Sequence, residues 1–290
     1  MSILDILKKS FPNWTFKEQD HPMVECTTFA DDIKYKGGNW QSAWHFDDQP
    51  YMDEGGKPSD FNYTKPEHNV TEAINGIVDW FNAAEGYDKS PIFDIMTKNG
   101  PSGHTMKDAW SQAMRLLLHY VGDSHQPLHG ETRLDKEYPN GDRGGNDFPL
   151  ITHIKVKNLH SVWDKVVYEF HTNPKLPFTA DAWTLQETQV EKLLKDHPVS
   201  SLNDVKNLDP FQWQKETFEI ASTFAYINIK EGEALPEEYI TKGVQLAEKQ
   251  IVTAGYRLAN LLKSLTHLKQ MPELDTIMSV PESQPVNFTQ

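Results

Sequence analysis

A chain of 290 residues with 42 acidic against 28 basic side chains carries a formal charge of −14. It is long enough to bury a large core, and such acidity excludes a plain electrostatic grip on a nucleic-acid backbone. A phosphate would have to be met by metal ions supplying the positive field. The single cysteine, Cys26, cannot form an internal disulfide.

The N-terminus, MSILDILKKSFPNW, reads as the end of an amphipathic helix interrupted by Pro12. Charges at Asp5, Lys8 and Lys9 break any apolar stretch, so it is not a recognisable signal peptide, and no run is long enough to span a membrane. Sequons at Asn13, Asn62, Asn69 and Asn287 nevertheless suit a secreted or lumenal protein.

Residues 26–48 are dense in Asp31, Asp32, Lys34, His45, Asp47 and Asp48 and punctuated by Gly37 and Gly38. They predict ligands presented from irregular backbone. Residues 50–68 read as loop. Asn69 or Thr71 can cap a helix running to about Glu85, with Ala73, Ile74, Ile77, Val78, Trp80 and Phe81 turned to the core.

From near Thr105 the residues Met106, Trp110, Ala113, Met114, Leu117, Tyr120 and Val121 recur at helical intervals. The helix leads into RLLLHYVGDSHQPLHGE, which places His119, Asp123, His125 and His129 close together. Residues four apart on a helix stack on one face, so His119 and Asp123 point the same way. An imidazole beside a carboxylate makes two ligands for Zn²⁺. Pro127 stops the helix and turns the chain, freeing His129 for a different ligand set.

Residues 131–151 form a loop ending in RGGND and a short strand-like piece, with Gly144 and Gly145 allowing close approach of backbone. In NLHSVWDKVVYEF the pair His160 and Asp164 repeats the His119–Asp123 spacing, and the pattern predicts a helix through Phe170. Two such pairs on two helices can converge in one core. Helices follow near 181–196, 210–226 and 236–266. The last presents Ile240, Val244, Ala247, Ile251, Ala254, Leu258, Leu261 and Leu262 on one side, as scaffolding. Residues 268–290, rich in Pro, Ser, Glu and Gln, predict a poorly ordered tail after a single domain over 1–267.

FADDIK, AWHFDD, LLHYVGDSHQPLHGE, GGN and NLHSVWD occur in this order. Together they resemble the zinc-dependent single-strand nucleases and 3′-nucleotidases of the fungal and plant type, distant relatives of zinc-dependent phospholipase C. The resemblance runs from about Thr28 to Leu262. It implies a mainly α-helical enzyme with a buried cluster of three zinc ions. Asp31, His45, His119 and Asp123 match the ligands of one zinc, with Asp123 bridging to a second; His129, His160 and Asp164 match those of another. His125 falls at a non-ligand position. Phe46 matches the aromatic that stacks on a base, and Lys34, Asp48 and Asn146 match polar positions around the substrate. Asp123, Lys34 and Asp48 are thus the catalytic candidates, Phe46 and Asn146 the substrate-binding ones. In the family an N-terminal tryptophan and a nearby histidine complete the remaining zinc site. No Trp-Gly-x-x-Gly-His-like start precedes Asp31, so that ligand set is incomplete here.

The chemistry so implied is hydrolysis of single-stranded RNA or DNA at P–O3′, giving 5′-phosphorylated products, with removal of phosphate from 3′-nucleotides as a companion activity. Paired metal ions can activate water and clamp a phosphate in line. Two alternatives stand beside it: a phospholipase C-like phosphodiesterase, and a metal-stabilised binding protein without turnover.

Overall fold

The computed structural model describes residues 20–83, 90–99 and 106–265. The predicted N-terminal helix end and the C-terminal tail lie outside them. The described chain is mainly helical, with nine α-helices: α1 (Pro22–Glu25), α2 (Phe29–Ile33), α3 (Val70–Asn82), α4 (Pro91–Lys98), α5 (Met106–Asp123), α6 (Leu159–Trp163), α7 (Ala180–Asp196), α8 (Pro210–Ile220) and α9 (Glu237–Ser264). None is long and apolar enough to cross a membrane.

Helix α5 is central, and its burial exceeds what one apolar face predicts. Trp110, Ala113, Met114, Leu117, Tyr120 and Val121 are buried as expected, but so are Leu116, Leu118 and Arg115 from the other sides. Helices α2, α3, α4 and α9 all pack on it. Helix α3 starts where the sequence placed it, because Asn69 Oδ1 accepts from the Glu72 amide at 2.9 Å. Its Ala73, Ile74, Ile77, Trp80 and Phe81 complete a first apolar cluster with α5. Leu128, Phe148, Leu159, Val162, Trp163, Val167 and Tyr226 belong to a second. The chain crosses from one to the other in residues 122–127, between Val121 and Leu128.

Several expectations are corrected. Residues 26–48 are coiled rather than irregular: α2 is followed by a π turn at Lys34–Gly38 and a 3-10 turn at Asn39–His45. Burial of Phe29, Ala30 and Ile33 on one side drives α2 to coil. The stretch called loop before Asn69 opens in a strand, β1 (Gln49–Tyr51), which pairs in parallel with β2 (Glu131–Arg133), Gln49 opposite Glu131. Helix α6 stops at Trp163, well short of Phe170, because Val166, Val167 and Tyr168 adopt positive φ. That conformation is costly for β-branched residues and is held by packing, Val167 being fully buried. The inner face of α9 is also rotated from its predicted stripe: Ile251 is exposed, while Gln250 and Arg257 are buried.

Arg257 explains that rotation. Its guanidinium donates to both carboxylate oxygens of Glu216 on α8 at 2.8 and 2.9 Å and lies 3.1 Å from His125 Nε2. Gln250 Nε2 donates to the His125 carbonyl and Gln214 Nε2 to that of Ser124, both at 3.3 Å. Helices α8 and α9 therefore grip the crossing segment with polar groups, and a buried charge with a full set of partners is tolerated there. His125 is a structural residue in this clamp. With Nε2 accepting from Arg257, Nδ1 donates to the Val121 carbonyl at 2.8 Å. Burial, opposed by the hydrogen bond to Val121 and aided by Arg257, pushes its pKa down to about 3.

An unfolded His125 takes up its proton near pH 6.5 while the folded one stays neutral to about 3. Stability from this residue is complete above pH 6.5 and is lost as pH falls towards 3. His125→Asn should therefore flatten the decline in urea-unfolding free energy between those limits by about one proton. Parallel slopes for the variant and the parent would contradict the assignment.

Candidate metal centre

The residues singled out in sequence converge at the boundary of the two apolar clusters. Asp31 comes from α2, His45 ends the 3-10 turn, and His119 and Asp123 lie on the last turns of α5. His129 ends a second 3-10 turn, Pro127–His129, while His160 sits in α6 and Asp164 caps it. The two ligand-bearing turns lie side by side, because the Asp47 amide donates to the His129 carbonyl at 2.8 Å and that of Gln49 to the Gly130 carbonyl at 3.1 Å.

Two groups of side-chain donors result. Asp31, His45 and His119 place one ligand atom each within 4.8 Å of one another, and so do His129, His160 and Asp164. Asp123 stands between them. Its Oδ2 is 2.8 Å from His45 Nδ1 and 3.0 Å from His119 Nε2, while Oδ1 is 3.8 Å from His129 Nδ1.

Every one of the four imidazoles is oriented through its other nitrogen. His45 Nε2 donates to Gln41 Oε1 at 2.8 Å, His119 Nδ1 to the Thr27 carbonyl at 2.5 Å, His129 Nδ1 to the His45 carbonyl at 2.8 Å and His160 Nδ1 to the Gly144 carbonyl at 2.7 Å. With those nitrogens so engaged, His45 Nδ1 and His119 Nε2 face each other at 3.1 Å and both face Asp123 Oδ2. Two imidazole nitrogens and a carboxylate oxygen converging on one point suit a shared proton or, in its place, a metal cation. Three carboxylates around four imidazoles also carry more negative charge than one divalent ion neutralises. The donor set therefore fits metal ions that favour nitrogen and oxygen.

The electrostatics point the same way. Burial opposes charge on His119, yet Asp123 and Asp31 outweigh it and raise its pKa to about 9. Burial likewise opposes charge on His129, where Asp123 and Asp164 raise the pKa to about 9. Burial would raise the carboxyl of Asp123, but His119 and His129 hold it well below the usual range. A field that holds protons so firmly on these nitrogens also favours a metal cation. At His45 and His160 burial dominates and lowers the pKa, keeping each imidazole neutral as a ligand must be.

The remaining predicted residues fringe this centre. Lys34 Nζ pairs with Asp31 Oδ1 at 3.0 Å and lies 5.7 Å from the centre of the Phe46 ring. Phe46 stacks on His129 with centroids 4.8 Å apart and tilts towards His160 at 6.0 Å. Asp48 is held at positive φ, and burial, opposed by His129, lifts its pKa to about 6. Asn146 donates to the Arg143 carbonyl at 2.9 Å, in the loop whose Gly144 carbonyl orients His160. Sequence reasoning missed Gln41, which takes the proton of His45, and Gln126, whose amide donates to Asp164 Oδ1 at 2.9 Å. Only Gln126 had a local signal, as the residue before a proline that opens a turn.

The sequence model of the S1/P1 nuclease family matches residues 3–267. The chain belongs to that family. It is 26% identical over 270 residues to Endonuclease 4 of Arabidopsis thaliana, covering 89% of this chain and 81% of the relative. It is 25% identical over 257 residues to Nuclease S1 of Aspergillus oryzae, covering 82% and 77%. Nuclease P1 of Penicillium citrinum is 21% identical over 258 residues, or 84% of each chain. Both ligand groups, and the turn joining them, fall inside the family match.

Gly144 tests how tightly the centre is built. Its φ is +58°, and a Cβ there would lie 2.1 Å from the Leu128 carbonyl oxygen. Gly144→Ala should cost about 2–3 kcal/mol in urea unfolding. Gly232→Ala, at φ +74° with nothing near its Cβ position, should cost only about 1 kcal/mol. Equal losses would show that the close approach at Gly144 contributes nothing.

Proposed function

We propose that this chain is a zinc-dependent phosphodiesterase that hydrolyses single-stranded RNA or DNA to 5′-phosphorylated products and removes phosphate from 3′-nucleotides. The observation that carries the proposal is Asp123 set between two ligand groups whose imidazoles are all oriented by backbone or amide carbonyls. Asp31, His45, His119 and Asp123 would hold one zinc; His129, His160 and Asp164 would hold another. Zn²⁺ so held would supply Lewis acidity and bring water towards a pKa of about 7.

The chain's own residues have separable tasks in this reading. Asp123 would hold the first zinc through Oδ2 beside His45 and His119 and would offer Oδ1 to a second ion. Lys34, already neutralising part of Asp31, offers positive charge to a phosphate at the rim. Phe46 offers a ring to a base, since stacking tolerates any sequence. Asp48, whose carboxyl burial lifts to a pKa of about 6, would face polar substrate atoms. Asn146 supplies an amide beside the second group.

Secretion is part of the same proposal. Asn62 is exposed and open to a glycan, whereas Asn69 is buried and spends its side chain capping α3. Of these two sequons, Asn62 is the one expected to be used.

The test is turnover by zinc-loaded protein of single-stranded oligonucleotides and 3′-AMP, with phosphatidylcholine in parallel. Nucleic-acid cleavage leaving 5′-phosphate ends is expected. Asp123→Asn should lower it by more than about 100-fold, beyond the loss usual for residues outside the metal's direct ligands. Hydrolysis of phosphatidylcholine alone would favour a phospholipase, and bound zinc without turnover a binding protein.

A further inference from the structure

We propose that Tyr35 and Lys36, with Arg143 at the opposite edge, form a track that binds the single strand beyond the nucleotide being cleaved. The inference rests on the nuclease reading above and deepens it, because it assigns residues to the polymer rather than to the reacting phosphate.

The first observation is a limit on Phe46. One face of its ring is taken by His129, stacked at 4.8 Å and inclined by 28°, so a base can reach only what remains. A strand held at that ring alone would be held by a single stacking contact. Tyr35 offers a second. Its side chain is 95% exposed, so both faces of the ring are open. A solitary exposed tyrosine is ordinary on a protein surface. This one follows directly on Lys34, which touches both Asp31 and Phe46, and is followed by exposed Lys36.

The second observation is that Tyr35 is presented from a rooted turn. The π turn Lys34–Gly38 begins after buried Ile33 and ends on buried Gly38, and a Cβ on Gly38 would lie 2.6 Å from Ile33 Cγ1. Its base is therefore packed against α2, and stacking on Tyr35 costs less ordering than on a loose loop.

The third is charge. The chain carries −14 overall, and Asp31, Asp123 and Asp164 sit in the centre itself. Phosphates away from the metal ions need local cations. Lys34, paired with Asp31, and exposed Lys36 place positive charge beside the first ligand group. Arg143, 74% exposed, 3.6 Å from Asp147 Oδ1 and adjoining the Gly144 carbonyl that orients His160, places a cation beside the second. Side-chain contacts run without a break from Lys34 to Phe46, from Phe46 to His160, and from His160 to Gly144. Aromatic rings interleaved with basic side chains along such a line are how single strands are bound without regard to sequence.

The experiment measures binding of a fluorescein-labelled oligothymidylate phosphorothioate to the zinc-loaded chain by anisotropy, alongside cleavage of ordinary oligothymidylate. Tyr35→Ala should raise Kd about fivefold or more, the low end for loss of a stacked base, and Tyr35→Phe should bind as the parent does. Lys36→Gln should reduce the slope of log Kd against log salt by about 0.7, as expected for one lost phosphate contact to a single strand. The proposal is overturned if the parent does not bind the oligomer, if Tyr35→Ala binds equally well, or if Tyr35→Phe is as impaired as Tyr35→Ala. A parent that binds the phosphorothioate but cannot cleave the ordinary strand would instead refute the nuclease reading and leave the track standing.

Discussion

One carboxylate standing between two sets of imidazoles is the constraint from which the rest of this structure follows. Asp123 closes the last turn of α5 with one oxygen towards His45 and His119 and the other towards His129. Oδ1 stands 3.8 Å from His129 Nδ1, so the two groups lie on either side of a single carboxylate. The chain after Asp123 must therefore reverse within a few residues, and the turn Pro127–His129 does so. The strand that follows it pairs with the strand after His45, locking both ligand-bearing turns to one another.

Such a centre is expensive to build. Imidazole nitrogens and carboxylates at the edge of two apolar clusters lose hydration, and without compensation each would destabilise the fold. The compensation lies one layer out. Thr27, His45 and Gly144 lend backbone carbonyls and Gln41 a side-chain one, so that each imidazole is fixed before any ligand arrives. Behind the crossing segment, Arg257 and Glu216 bind α9 and α8 to His125. Their arrangement accounts for a buried arginine in an acidic protein: it holds the reversal that the carboxylate of Asp123 requires.

How much of this was legible in the sequence depended on whether the determinant was local. His119 and Asp123, four apart on a periodic helix, could be placed on one face, and the structure puts them 3.0 Å apart. The start of α3 was legible for the same reason, since Asn69 and Glu72 are neighbours in sequence. Determinants that act across the chain were not. Nothing near Thr27 or Gly144 announces that its carbonyl will orient a histidine about ninety or sixteen positions away. Arg257 lay within a long apolar stripe and gave no sign that its partners, Glu216 and His125, come from other elements. The helix expected through Phe170 failed where packing of Val167 overrode the local pattern. His125 shows the reverse case: it has the residue type of a ligand, yet its neighbours Arg257 and Val121 occupy both nitrogens.

The central claim is that Asp123, with His45 and His119, holds one metal ion beside a separate one on His129, His160 and Asp164. Anomalous diffraction at the zinc edge from crystals of the zinc-loaded protein tests it directly. Two peaks at least are predicted, one about 2.0–2.2 Å from the facing atoms of His45, His119 and Asp123, the other at the same range from His129, His160 and Asp164. A single peak, or peaks that leave Asp123 untouched, would contradict the account.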